Sequence, residues 1–158
     1  MIRILSLAAF LASPAAAQDL SVDAATVRAC FADTATGERT PHCLGAASNA
    51  CQEAPGGATT PGIAACIAAE TAVWDAILNE EYRATRDAFQ GRPATGGSAL
   101  TDSLRAAQGA WIAFRDADCA LAYDRWADGT LRSVVAANCL MVFTADRAVE
   151  LRDMREGG

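Results

Sequence analysis

Between residues 60 and 90 an apolar side chain recurs every three or four positions, which predicts a long amphipathic helix. We expect this helix to begin at Thr60-Pro61, because a capping threonine followed by proline is a common helix start, and to end near Phe89. Its polar face would carry Glu80, Glu81, Arg83 and Arg86. Its apolar face would consist of Ile63, Ile67, Trp74, Ile77, Leu78, Tyr82 and Phe89.

The same periodicity predicts two further long helices, from about Ser98 to Trp126 and from Thr130 towards the C-terminus. Two shorter helices, near 21–33 and 40–53, precede the first long one. No stretch alternates with period two, so we predict an all-α fold, a bundle of antiparallel helical hairpins. The apolar faces of the two later helices would consist of Leu100, Leu104, Ala107, Trp111, Phe114 and Leu121, and of Leu131, Val134, Val135, Met141, Val142, Ala145 and Leu151.

The N-terminus has the features of a secretory signal peptide. Arg3 precedes a short apolar run that ends in Ala15-Ala16-Ala17, an A-x-A cleavage site. We predict cleavage after Ala17 and an exported, periplasmic or secreted protein. No later stretch is apolar for long enough to predict a membrane span. We therefore divide the chain into a signal peptide (1–17), an N-terminal helical hairpin (18–60) and a main helical domain (61–158).

Six cysteines in an exported chain predict three disulfides. Six cysteines allow 15 connectivities, but three pairs lie about equally far on either side of a turn, as expected for residues that face each other in a hairpin. This placement favours neighbour pairing. No C-x-x-C motif occurs and the single histidine is His42, so we predict neither a metal site nor a catalytic thiol, and no cofactor. The favoured pairs are Cys30–Cys43, Cys51–Cys66 and Cys119–Cys139.

The charge balance is acidic and changes the range of expected partners. Removal of residues 1–17 takes away one of 13 basic residues and none of 19 acidic ones, so the net charge moves from −6 to −7. All the basic residues are arginines. An acidic chain is a poor ligand for nucleic acid and for anionic membranes, and it would suit a cationic partner.

Two stretches place polar groups beside large aromatic residues. If the two long helices that carry them pack antiparallel, these polar groups would meet at the edge of the core. A buried arginine with a carboxylate and an amide commonly fixes helix register, so we interpret these residues as structural. The alternative is a hydrolase that uses paired carboxylates, drawn from Glu70, Asp75, Asp116 and Asp118. The two stretches contain Glu70, Trp74, Asp75, Asn79 and Tyr82, and Gln108, Trp111, Arg115 and Asp116.

The spacing of these residues resembles the lysozyme inhibitor LprI-type N-terminal domain family. The resemblance covers roughly residues 62–153 and rests on the patterns W-D-x-x-L-N-x-x-Y and Q-x-x-W-I-x-F-R-D-x-x-C. Further matching positions are Gly129, Cys139, Thr144, Arg147 and Leu151. The stretch from Asp19 to Ala58 lies outside the pattern.

The resemblance implies a small helical envelope protein that binds and inhibits a lysozyme and is not itself an enzyme. Common animal lysozymes are cationic, and an acidic protein would be steered towards them. A second hypothesis is an envelope protein that binds another protein or a cell-wall fragment. The acidic residues that we expect to contact a partner are Glu80, Glu81 and Asp87 on the first long helix, and Asp124 and Asp128 near the turn at 128–130.

Overall fold

The computed structural model describes residues 20–92, 97–126 and 128–156, and the predicted signal peptide lies outside these residues. The described residues form helices and turns and contain no strand, which confirms the all-α prediction. The five helices are α1 (Ala24–Asp33), α2 (Ala46–Cys51), α3 (Thr60–Gln90), α4 (Gly97–Asp124) and α5 (Arg132–Glu156).

Helix α3 begins close to its predicted start. The Thr59 hydroxyl, one residue earlier than expected, accepts a hydrogen bond from the Gly62 N–H, and Pro61 lies in the first turn, where its missing N–H costs nothing. The predicted apolar face is confirmed. Its residues Ile67, Trp74, Ile77 and Leu78 are buried, and Ile63, Tyr82 and Phe89 are partly buried against them.

Helix α5 packs along α3 more extensively than any other helix does, and α4 lies against both. By length and composition α3 could cross a membrane, with a mean hydropathy of 1.3 over an 18-residue window. This qualifies the prediction that no later stretch is apolar enough. In the described structure α3 instead contributes its apolar face to the common core with Leu104, Met141, Ala145 and Leu151, as the central helix of a folded domain does.

Helix α4 departs from its predicted face. Leu104 is buried and Trp111 partly buried, but Phe114 and Leu121 are each 56% exposed, and Leu131 before α5 is 47% exposed. The prediction that these three residues are in the core is therefore wrong. Helix α4 packs on both α5 and α3, but far less closely than α3 and α5 pack on each other, so part of its apolar face is left uncovered.

The N-terminal segment is fastened to the long helices by polar contacts. Asp23 caps α1 by accepting from the Ala25 N–H. At the other end of α1, Arg152 of α5 donates to the carbonyl oxygens of Phe31 and Thr34, at 3.2 and 2.9 Å. The Phe31 oxygen also accepts from the Thr34 N–H at 3.3 Å. Because the last carbonyls of a helix lack the donors of a following helical turn, these bonds from Arg152 hold the end of α1 against α5.

Three disulfides connect neighbouring helices and turns, and all three follow the favoured neighbour pairing. Cys30–Cys43 ties α1 to the turn before α2, Cys51–Cys66 ties α2 to α3, and Cys119–Cys139 ties α4 to α5. Their Cα–Cα distances are 5.7, 5.7 and 5.5 Å, within the usual range for a disulfide. Because all six cysteines are paired, none is free to act as a nucleophile or a metal ligand.

Candidate functional site

Glu70 is a fully buried carboxylate at the centre of the molecule. It accepts from the backbone N–H groups of Gly45 at 2.9 Å and Ser48 at 2.7 Å, and from the Trp74 indole N–H at 3.1 Å. Gly45 is the N-cap of α2, has φ +89°, and supplies no capping side chain. Glu70 of α3 therefore caps the N-terminus of α2. The helix dipole also stabilises a negative charge at this end of a helix.

A second buried polar cluster joins α4 to α5. Arg147 donates from Nε to the Gln108 side-chain oxygen at 2.9 Å and from Nη1 to Glu150 at 2.8 Å. Its guanidinium carbon also lies 5.7 Å from the centre of the Trp111 ring, within cation–π range. The arginine that meets Gln108 is thus Arg147, which matches the family pattern, and not Arg115.

The expectation that the two motif stretches meet through their polar groups is wrong. Asn79 donates to the backbone and side-chain oxygens of Asp75 in its own helix, at 2.8 and 3.0 Å, and Asp75 is exposed. Arg115 pairs with its neighbour Asp116 at 2.8 Å. Helix α3 packs far more extensively on α5 than on α4, so the two stretches have little contact with each other. Tyr82 lies partly buried against the core.

Three of the four carboxylates considered for hydrolysis, Glu70, Asp75 and Asp116, have other partners in the described structure. Both oxygens of Glu70 are occupied by donors in a buried site, so this carboxylate is not placed to exchange protons with a substrate. Asp75 and Asp116 are exposed and pair with Asn79 and Arg115. Among the described residues, no group of three or more histidine, cysteine, aspartate or glutamate side chains could hold a metal ion.

The predicted partner-binding residues fall into two separate groups. The first, here the α3 surface, consists of Glu80, Glu81 and Asp87. The second, the turn surface, consists of Asp124 and Asp128; Asp128 lies beside Thr60 and Pro61 at the start of α3. Glu80 is 20 residues along the helix from Thr60, and Asp87 is 27. At 1.5 Å per residue the two groups are about 30–40 Å apart, so they cannot form one patch.

Each carboxylate of the α3 surface has an arginine partner. Glu80 accepts two hydrogen bonds from Arg28 of α1, at 2.8 and 2.9 Å, and these bonds hold the pKa of Glu80 below its ordinary value. Glu81 lies 2.7 Å from Arg155 and is only 16% exposed. Asp87 pairs with Arg86 at 2.7 Å. The surface is therefore less negative than its three carboxylates alone would make it.

A third acidic group was missed by the sequence prediction. Asp146, Glu150 and Asp153 recur at four- and three-residue steps on α5, so they lie on one face. Together with Glu38 they form what we call the α5 surface. The loop closed by Cys30–Cys43 lies along it: Thr40 donates to Asp146 at 2.9 Å, and the Gly37 N–H donates to Asp153 at 2.8 Å. The spacing on α5 is visible in the sequence, but the contact with a loop more than 100 residues earlier is not.

Most of the described chain lies in a region that is similar to known proteins. Residues 51–151 match the model of the family described as lysozyme inhibitor LprI. An uncharacterized protein of Rhizobium meliloti (strain 1021) is 32% identical over 88 residues, which cover 52% of this chain and 63% of that protein. The match thus spans less than two thirds of that relative. No solved structure matches significantly. Two of the three disulfides lie inside the family match, and Cys30–Cys43 lies before it.

Proposed function

This chain belongs to the LprI lysozyme inhibitor family, and from that membership we propose that it is an exported protein that binds a lysozyme and inhibits it. The observation that carries the proposal is the family match over residues 51–151. LprI is an inhibitor family and not an enzyme family. The protein would therefore act by occupying the enzyme, without chemistry of its own.

The charge of the chain supports this partner. An acidic protein attracts a cationic lysozyme over distances of about one Debye length, roughly 8–10 Å at physiological salt. Such steering raises the association rate and favours partners of opposite charge. The three disulfides support an oxidising, extracytoplasmic location, since structural disulfides persist outside the cytoplasm.

The first experiment is a lysozyme turbidity assay with the oxidised protein lacking residues 1–17. We expect inhibition of a hen-type enzyme at near-stoichiometric ratios, weaker at high salt than at low salt. A bacterial-type lysozyme serves as the comparison enzyme. Absence of inhibition at a large molar excess over both enzymes would contradict the proposal. Inhibition that salt does not affect would contradict its electrostatic part.

Charge reversal at each acidic surface would then locate the contact. The variants are Glu80→Lys with Asp87→Lys for the α3 surface, Asp124→Lys with Asp128→Lys for the turn surface, and Glu38→Lys with Glu150→Lys for the α5 surface. We expect one pair to weaken inhibition at least about tenfold, mainly through slower association. The matched control is Asp33→Lys with Glu53→Lys, which makes the same change of charge at exposed positions outside all three surfaces. An equal loss in the control would mean that only net charge matters.

A second candidate function, an envelope protein that binds a different partner, is favoured by the exposed apolar side chains of α4. Besides Phe114 and Leu121, Ile112 of the same helix is 41% exposed, and Trp126, two residues after the helix ends, is 48% exposed. Phe114 and Leu121 are seven residues apart and therefore lie on one face of α4. Exposed apolar side chains on one face commonly mark a protein-binding surface. Pull-down from an envelope extract with the wild type and with a Phe114→Ser, Leu121→Ser variant tests it. A partner other than lysozyme, recovered with the wild type only, would support this candidate. Equal recovery by both proteins would contradict it.

A further inference from the structure

A cavity of about 330 Å³ opens between the loop at residues 37–39, helix α4 and helix α5. Trp111 and Phe143 provide aromatic surface, and Val149 adds an aliphatic side chain. The volume is at the small end of the range for small-molecule sites, roughly 300–1,000 Å³. Sites of this kind are mostly apolar with a few converging polar groups. The charged residues of the lining are Glu38, Arg39, Asp146, Arg147, Glu150 and Asp153.

Arg147 lines this cavity, and one nitrogen of its guanidinium group has no hydrogen-bond acceptor in the described part of the chain. Its side chain is only 6% exposed. Nε and Nη1 are bonded to Gln108 and Glu150, but the buried Nη2 has no acceptor among the residues that the structure describes. A buried donor without an acceptor destabilises the folded state. An acceptor atom brought by a ligand would relieve this destabilisation.

Asp146, the preceding residue, supplies an acceptor with spare capacity. It receives one hydrogen bond from Thr40, on Oδ1. No ion pair of Asp146 occurs among the described residues, and Arg39 acts on it only at longer range. Burial raises the pKa of Asp146, and the Thr40 hydrogen bond opposes that rise only in part. The carboxylate therefore gains from a further donor.

The charges of the lining narrow the choice of ligand. Four carboxylates against two guanidinium groups repel an anion, although Arg147 needs an acceptor. A cation would be attracted by the carboxylates, but it would leave the Nη2 donor unmet and would lie close to its positive charge. A neutral group that both accepts and donates a hydrogen bond would satisfy Arg147 and Asp146 together. A secondary amide does this with its C=O and its N–H.

We propose that this cavity binds a small neutral ligand through a secondary amide, whose carbonyl accepts from Nη2 of Arg147 and whose N–H donates to the carboxylate of Asp146. Two kinds of small molecule carry this group at a suitable size: an N-acetylated amino sugar and a short peptide. The apolar part of either would lie against Trp111 and Phe143. This inference is independent of lysozyme binding, and its test requires no lysozyme.

The test is a titration of the oxidised protein followed by ¹H–¹⁵N NMR. The probes are N-acetylglucosamine, N-acetylglycine N-methylamide and, as the sugar without an amide, glucose. We expect saturable shifts of the Trp111 indole and of the backbone at 37–39 and 146–150. The dissociation constant should be on the order of 1 mM, as is usual for ligands of this size. Binding of only one of the two amides would support the proposal and identify the source of the amide.

The Asp146→Ala variant tests the role of the carboxylate. We expect affinity for the amide probe to fall at least tenfold, while the dispersion of the spectrum is kept. The matched control Asp102→Ala removes an exposed aspartate of α4 that pairs with Arg105 and should bind as the wild type does. Glucose binding as well as the amides, no saturable shift with any probe, or full affinity in a folded Asp146→Ala protein would each overturn the proposal. The comparison of the probes uses the wild type, so it tests amide binding even if the variant does not fold.

Discussion

Glu70 is one of the residues that join the N-terminal segment to the long helices. Its carboxylate serves three donors in a buried site, two of them at the start of α2. Buried polar groups destabilise the folded state little while they are hydrogen-bonded, but strongly once a partner is removed. The family pattern contains this glutamate, but its role became apparent only with the residues it caps, Gly45 and Ser48, which precede the family match.

We expect Glu70→Ala to lower the free energy of unfolding by at least about 3 kcal/mol, because three buried donors lose their acceptor. Glu70→Gln should cost less, since the amide keeps one acceptor oxygen but turns its NH₂ towards a backbone N–H. Urea denaturation followed by circular dichroism measures both. Glu53→Gln, at an exposed position, is the control and should have little effect. A Glu70→Ala protein as stable as this control would contradict the capping role.

Asp146 is expected to have the opposite influence on stability. Burial raises its pKa above the unfolded value of 3.8, so between these two values the folded state binds more protons than the unfolded state. The stability that this group contributes is therefore present at low pH and is lost as pH rises through the folded pKa. We expect Asp146→Asn to be at least as stable as the wild type at pH 7, with the difference shrinking as pH is lowered. Thermal melts of both proteins across this pH range test the prediction, and a loss at pH 7 larger than that of Asp102→Asn would contradict it.

At the scale of helices, the periodicity of the sequence was sufficient to predict α3 and its buried face, because one stripe of α3 meets every other helix. It was insufficient for α4. Phe114 and Leu121 continue the apolar stripe of α4 but are exposed, since periodicity records which face is apolar and not how much of that face a neighbour covers. The α5 surface was missed for a related reason, because its loop partners are more than 100 residues away in sequence.

The start of α3 depends on a close approach that only glycine allows. A Cβ atom on Gly62 would lie 2.0 Å from the Gly56 carbonyl oxygen, whereas nothing lies within 4 Å of the same position on Gly109 in α4. We expect Gly62→Ala to destabilise the protein by more than about 2 kcal/mol through this clash. Gly109→Ala should stabilise it by about 0.5–1 kcal/mol, as alanine does in an open helix interior. Thermal and urea unfolding of the two variants check the difference in sign, and two changes of the same sign would contradict it.

At the scale of the whole molecule, we expect stability to depend on oxidation. The three disulfides close loops with sequence separations of 13, 15 and 20 residues. Each contributes roughly 3 kcal/mol in the chain-entropy description, so together they approach the 5–15 kcal/mol that stabilises a typical domain. We expect full reduction to lower the melting temperature strongly or to abolish the transition. Circular dichroism of oxidised and of reduced, alkylated protein measures this, and identical melts would contradict it.

The neighbour pairing of the cysteines also has a consequence for biogenesis. In each disulfide the two cysteines are consecutive along the chain, with no other cysteine between them. If this chain is exported N-terminus first, as proposed above, it exposes its thiols one after another. An oxidant that joins each newly exposed thiol to the preceding unpaired thiol would form the three native disulfides directly. This is one of 15 possible arrangements, and it would be reached without disulfide exchange. Oxidative maturation should therefore require a thiol oxidase but no disulfide isomerase.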